Sequence, residues 1–278
     1  MHVSSFCQIT KLLLCSLAVA SAFNVKKTDQ PLLRLRGGLG GVEPSQVATA
    51  AACLSVANGL YCGLAPEPAL EAYGMQKASF EVGQMCKSLG ITNIAQAVLA
   101  LSLLKGGDLN AAIGWSQLPF LLLSLQSIWD GTGDKMGQPK PAQFLLLGIT
   151  AATMYCAFTG NNMPLAAQLS AGWALLNGIG AALAPGKLAA AWGMNGDASF
   201  EGMMKNFGYQ LCSLGVLQYL VATGTDVSKA VGYAFALALV GVVDMMYVSR
   251  TADAMGVEKN AARAWMVIQS AVAAFTLA

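Results

Sequence analysis

The sequence predicts an all-α, polytopic membrane protein with about eight transmembrane helices, built as two parallel four-helix repeats. Three observations predict it. Apolar residues make up 55% of the 278 residues and charged residues 11%, where a soluble chain carries about 25% charged. Eight apolar segments follow one another, each near the roughly 20 residues a helix needs to cross the hydrocarbon core. The chain also repeats itself. Asn58-Gly59 recurs as Asn177-Gly178 and Gly74-Met75 as Gly193-Met194, both 119 residues on. Ala78-Ser79-Phe80-Glu81 recurs 120 residues on as Ala198-Ser199-Phe200-Glu201. Lys87, Gly90, Asp108 and Gly114 match Lys205, Gly208, Asp226 and Gly232 at 118, and Met136-Gly137 and Lys140 match Met255-Gly256 and Lys259 at 119. Small slips between preserved landmarks are what loop insertions in a duplicated gene leave behind.

Residues 1–22 read as a signal peptide. Lys11 precedes a short apolar core, Leu12 to Ala20, and Ala20-Ser21-Ala22 is a small-x-small cleavage site. The core is too short to span a bilayer. Residues 23–45 form a transit-like or linker segment, with Lys26, Lys27, Arg34 and Arg36 against Asp29. Ala20-Ser21-Ala22-Phe23 resembles the junction of bipartite plastid leaders in algae with secondary, red-lineage plastids. That resemblance implies a plastid membrane, thylakoid or envelope; the endoplasmic reticulum or another secretory-pathway membrane is the alternative.

The first unit, 46–160, carries apolar spans at about 46–65, 86–104, 110–129 and 141–159. The second, 161–278, carries them at about 164–184, 204–222, 229–248 and 261–278. Backbone groups inside lipid find no water, so helices are the default, and the period-2 alternation of a barrel is absent. Ala65-Pro66 and Ala184-Pro185 stop spans 1 and 5, Asp130 to Pro141 separates spans 3 and 4, and Gly160 to Pro164 is the seam. Four spans per unit return the chain to its starting side, so both units share one orientation about an axis along the membrane normal. Lys77, Lys87, Lys135, Lys140, Lys187, Lys205, Arg250, Lys259 and Arg263 follow odd-numbered spans, against Lys105 and Lys229 after even ones. That bias places the first set on the cytoplasm- or stroma-like side.

Composition excludes several functions. The net charge is +2 with no basic helix face, so nucleic acid is not an expected partner; the lipid bilayer is. The one histidine, His2, lies in the leader. A mature chain without histidine has no Ser-His-Asp triad and no His-based metal or haem site. Cys53, Cys62, Cys86, Cys156 and Cys212 lack metal-ligand spacing and read as small buried hydrophobes; the methionines read as packing residues. No catalytic constellation emerges.

Asp244 is the sharpest candidate, a carboxylate inside span 7 whose counterpart in span 3 is Gln126. Such a group costs about 2.5–3.5 kcal/mol on insertion scales and points to function. It reads as a proton or cation site, as hydrogen-bonded glue, or as an edge residue reaching Arg250 or water. Glu81 with Lys87 and Glu201 with Lys205 recur in both units, six and four residues apart. The shorter spacing pairs the charges on one helix face; they read as edge ion pairs or as a polar pocket made twice. Asn58 and Asn177 sit within spans 1 and 5 beside glycines, so each amide is expected to bond a neighbouring helix at close approach, with a ligand role as the alternative. Asp108 and Asp226 read as helix N-caps, and Trp115, Tyr233, Trp129 and Tyr247 as interfacial anchors.

An apolar span with a central Gly, then Leu64-Ala65-Pro66, Tyr73-Gly74-Met75 and Phe80-Glu81 before a Gly-containing second span, resembles the DoxX-like superfamily of four-helix membrane proteins. The resemblance covers each unit, and the family's acidic-then-basic step is matched by Glu81 with Lys87 and by Glu201 with Lys205. It implies a four-helix bundle per unit. Some family members are subunits of quinone-linked sulfur oxidoreductases; tandem fusion departs from the usual single copy. The leading expectation is a structural or interaction component of a plastid membrane, binding a lipid, quinone or pigment between helices. The alternatives are a small-solute or proton-coupled transporter and a membrane subunit of a quinone-linked oxidoreductase.

Overall fold

A computed structural model describes residues 42–75, 78–160 and 163–278. The expected signal peptide, nearly all of the transit-like segment, Lys77 and the seam residue Asn161 lie outside the described residues. Among the described residues every regular element is helical. The long helices are α1 (Pro44–Leu64), α3 (Phe80–Leu104), α4 (Leu109–Trp129), α6 (Lys140–Thr159), α7 (Met163–Leu183), α9 (Ala198–Ala222), α10 (Val227–Val243) and α12 (Lys259–Leu277). Short helices α2 (Pro66–Ala72), α5 (Thr132–Lys135), α8 (Pro185–Ala191) and α11 (Thr251–Ala254) fill the connections. α1, α3, α4, α6 and α10 with its continuation to Val248 are long and apolar enough to cross a membrane. α7, α9 and α12 are 21, 25 and 19 residues long.

Local chemistry sets the boundaries. Asp108 and Asp226 accept backbone N–H bonds from Ala111 (3.0 Å) and from Ser228 (3.0 Å), capping α4 and α10 as expected. α3 and α9 begin at 80 and 198, earlier than the spans expected at 86 and 204. The reason is capping: Ser79 Oγ accepts from Val82 N at 3.4 Å and Asp197 Oδ1 from Phe200 N at 2.9 Å. Lys87 and Lys205 are therefore helix residues, not the loop cations the charge comparison took them for.

α1 packs on α3 and α7 on α9, and α3 and α9 pack on each other. α4 lies between α3 and α6, and α10 between α9 and α12; α6 meets α7, and α12 meets α1. Glycine makes the closest crossings. A Cβ on Gly90 would lie 2.6 Å from Gly59 O, and one on Gly208 would lie 2.5 Å from Ala182 N. The backbones touch there because no side chain intervenes.

Four connections gather at one end. Glu258 N donates to Tyr73 O at 2.8 Å. Buried Met75, Met194 and Met255, with Met136 against them, share one apolar cluster. The outer faces carry large exposed hydrophobes, among them Leu64, Leu122, Trp129 and Leu176. Such surface suits hydrocarbon and not water.

Candidate functional site

Two features stand out: a mostly buried ion pair and two cavities beside the central α3–α9 contact. The ion pair is Lys205 with Asp244. Lys205 Nζ lies 2.6 Å from Asp244 Oδ2, and both side chains are mostly buried, 14% and 17% exposed. Tyr209 Oη donates to the same carboxylate oxygen at 3.1 Å, and Ser249 Oγ at 3.4 Å. Asp244 opens a π-helical turn, Asp244–Val248, closed by Ser249 N donating to Asp244 O at 2.8 Å. Single π turns recur at functional sites. The next residue, Arg250, has φ 54, the left-handed region.

Gln126 meets Lys87 in the corresponding place. Lys87 Nζ donates to Gln126 Oε1 at 2.7 Å, and Gln126 Nε2 to Asp130 Oδ2 at 3.3 Å. Each expected lysine therefore bonds the next helix along and not its own. The Glu201–Lys205 pair that the four-residue spacing predicts does not form, because Lys205 turns to Asp244. Asp244 does not depend on Arg250 either. Glu81 is the second residue of α3, while Glu201 is the fourth of α9. They hold different helix positions, and neither joins an ion pair among the described residues.

The first cavity has about 1040 Å³ of empty space counting its mouth, and lies among α1, α3, α9, α10 and α12. The second, about 950 Å³, lies among α3, α4, α6, α7 and α9. Among the described residues, neither is lined by a charged side chain. Asn58 lines the first and Asn177 the second. Asn58 Oδ1 accepts from Tyr73 Oη at 2.7 Å, a bond to the connection beyond α1. Burial pushes the Tyr73 hydroxyl well above its ordinary range, so it stays a donor. Asn177 Nδ2 instead donates to Trp173 O of its own helix at 3.0 Å, so the expected bond to a neighbouring helix is not made there. Trp192 stands edge-on to Trp173, with ring centroids 5.7 Å apart.

The cavities differ in how their amides are used. Six amides line the first: Asn58, Asn93, Gln96, Asn206, Gln210 and Gln269. Only Asn58 has a hydrogen-bond partner among the described residues. Gln96 Oε1 and Gln269 Oε1 are buried without one, on side chains each 5% exposed. Leaving such a group unmet costs about 1–3 kcal/mol. In the second cavity Gln143 Nε2 already donates to Asp134 Oδ1 and Gln138 O, both at 2.9 Å, and Gln138 Nε2 to Met194 Sδ at 3.3 Å. Sequence reasoning missed Gln96 and Gln269. A signal was present: Asn93 and Gln96 are three residues apart in α3, and Asn206 and Gln210 four apart in α9, so each pair shares a helix face.

Comparison with protein-family models, with curated proteins and with solved structures finds no match.

Proposed function

We propose that the chain is an eight-span integral protein of a plastid membrane, made of two parallel four-helix units, that holds a lipid, quinone or pigment between those units as a structural or interaction component. Residues 46–160 form one unit and 161–278 the other. The observation that carries this reading is the pair of uncharged cavities flanking α3 and α9, each lined from both units. Pockets for apolar ligands are concave and mostly apolar, with few convergent polar groups.

The packing supports the unit organisation. The contacts of α1 with α3, α3 with α4 and α4 with α6 have counterparts in α7 with α9, α9 with α10 and α10 with α12. α6 with α7 answers α12 with α1. Lys140–Asp134 at 2.6 Å answers Lys259–Asp253 at 3.4 Å. Connections from both units meet at one end, as parallel units require. A duplicated DoxX-like bundle is the origin we propose for the arrangement, and the Ala-Ser-Ala-Phe junction is the support for the plastid.

The transporter reading has one specific observation in its favour, the Lys205–Asp244 pair, whose carboxylate lies inside a candidate span. Two measurements test the main reading. The full chain, purified in mild detergent, is solvent-extracted and analysed by mass spectrometry; about one lipid, quinone or pigment per chain is expected. A folded, monodisperse chain that carries none refutes the ligand-holding role. A fluorescent fusion that labels the endoplasmic reticulum refutes the plastid.

A further inference from the structure

The first cavity is more specific than a generic lipid slot. We propose that it binds one neutral, hydroxyl-bearing lipid per chain, its hydroxyl seated between the carboxamides of Gln96 and Gln269. This rests on the ligand-holding role proposed above and adds the headgroup chemistry and the choice of cavity.

Three observations carry it. First, Gln96 Oε1 and Gln269 Oε1 are buried and without a partner, on side chains that line the cavity from α3 and α12. Buried amide oxygens are hydrogen-bonded as a rule, so an unmet pair facing one space marks a group that completes it. One hydroxyl carries one O–H, so it donates to one of the two Oε1 atoms and accepts an N–H of the other carboxamide, leaving that carboxamide's Oε1 to a second donor such as water. Second, among the described residues no charged side chain lines the cavity, so a carboxylate or phosphate headgroup would be buried there without a counter-charge. Third, much of the remaining wall is apolar: beside the other amides, Leu89, Phe235, Val242, Met245 and Trp265 give a ring or chain a dry place. The second cavity also holds a buried unpartnered amide oxygen, Gln143 Oε1, and a hydroxyl, Ser124 Oγ. It has one such carboxamide and not two from different helices, and the amide nitrogens of Gln138, Gln143 and Asn177 already donate to protein acceptors.

Four probes share one isoprenoid skeleton and differ only at the end group: retinol, retinal, retinyl acetate and retinoic acid. Binding to the full chain in detergent is read as energy transfer from tryptophan. The part lost in Trp265→Phe reports the first cavity. Retinol is expected to bind at least tenfold tighter than the acetate and the acid, with retinal between. The double variant Gln96→Leu/Gln269→Leu removes two unmet polar groups and should stay folded. It is expected to lose the preference for the alcohol while still binding the acetate.

Equal binding of alcohol and acetate, unchanged in the double variant, overturns the hydroxyl site and leaves the ligand-holding role standing; water then satisfies the amides. Tight binding of the acid overturns the neutral headgroup. No tryptophan transfer from any probe, together with no lipid, quinone or pigment in the solvent extract, overturns both readings.

Discussion

Lys205 reaches across from α9 to Asp244 on α10, Nζ to Oδ2 at 2.6 Å, while Lys87 on α3 makes the matching reach to the neutral Gln126. One half of the molecule thus carries a charged clasp where the other carries a polar one. The lysine is the eighth residue of its helix in both cases.

The clasp predicts a sign. Asp244→Asn leaves Lys205 charged, mostly buried and without its counter-ion. Breaking a buried pair from one side costs about 3–5 kcal/mol. A loss of about 3 kcal/mol of apparent stability is expected in thermal or denaturant unfolding in detergent, and Lys205→Met/Asp244→Leu should recover most of it. If instead Asp244→Asn stays stable but abolishes proton-coupled uptake in vesicles, the transporter reading replaces ours.

Arg250 holds a left-handed backbone at φ 54, where Gly131 holds φ 70 before the matching short helix. A side chain there costs roughly 1–2 kcal/mol. Arg250→Gly is therefore expected to raise the melting temperature. A fall would show that the guanidinium supplies more than the backbone loses.

The crossing of α1 and α3 has no room for a Cβ at Gly90, 2.6 Å from Gly59 O. Gly90→Ala should cost about 1–3 kcal/mol, as overpacking does. Gly63→Ala, where a Cβ meets nothing within 4 Å, is the control and should be near neutral.

Gln218 is fully buried with neither side-chain atom partnered. Gln218→Leu should stabilise the chain by about 1–3 kcal/mol, because the unmet amide disappears. Destabilisation would mean that the amide is met in the membrane.

Acid should weaken the end where the connections gather. Hydrogen bonds from Lys140 and Gln143 hold Asp134 below its ordinary value of 3.8, and those from Thr132 hold Asp130 below it. A carboxyl depressed in the folded state contributes stability above its unfolded pKa and loses it as pH falls through the folded one. The melting temperature should therefore drop below about pH 4, and less so in Asp134→Asn.

The amino-acid order made the helices, the caps at Asp108 and Asp226 and the glycine crossings legible, because each is fixed by neighbours in the chain or by the absence of a side chain. Partner choice was not legible. Which helix Lys87 and Lys205 face depends on how α3 and α9 are rotated, and no local pattern encodes that. The register slips show the same limit. Gln126 and Asp244 are 118 apart, while Thr132 and Thr251 are 119 apart. The extra residue falls within the π turn at Asp244–Val248, which takes up one more residue than an α turn, and not in a loop. The caps Ser79 and Asp197 are 118 apart, so the Ala-Ser-Phe-Glu match at 120 aligns residues that the helices place two positions apart. The tetrapeptide match makes Glu81 and Glu201 look equivalent, and the offset is why they are not. The unmet amides Gln96 and Gln269 come from α3 and α12, far apart in sequence, and line one cavity only in the folded chain.

Two parallel units of four spans are the central claim, and sidedness tests it most directly. Single cysteines at Lys135, Asn195, Thr223 and Ala278, all exposed, are labelled with a membrane-impermeant maleimide in sealed, oriented vesicles. Lys135→Cys and Asn195→Cys should label from one face, Thr223→Cys and Ala278→Cys from the other. Asn195→Cys sharing a face with Thr223→Cys would mean that α9 does not cross, and would contradict the account.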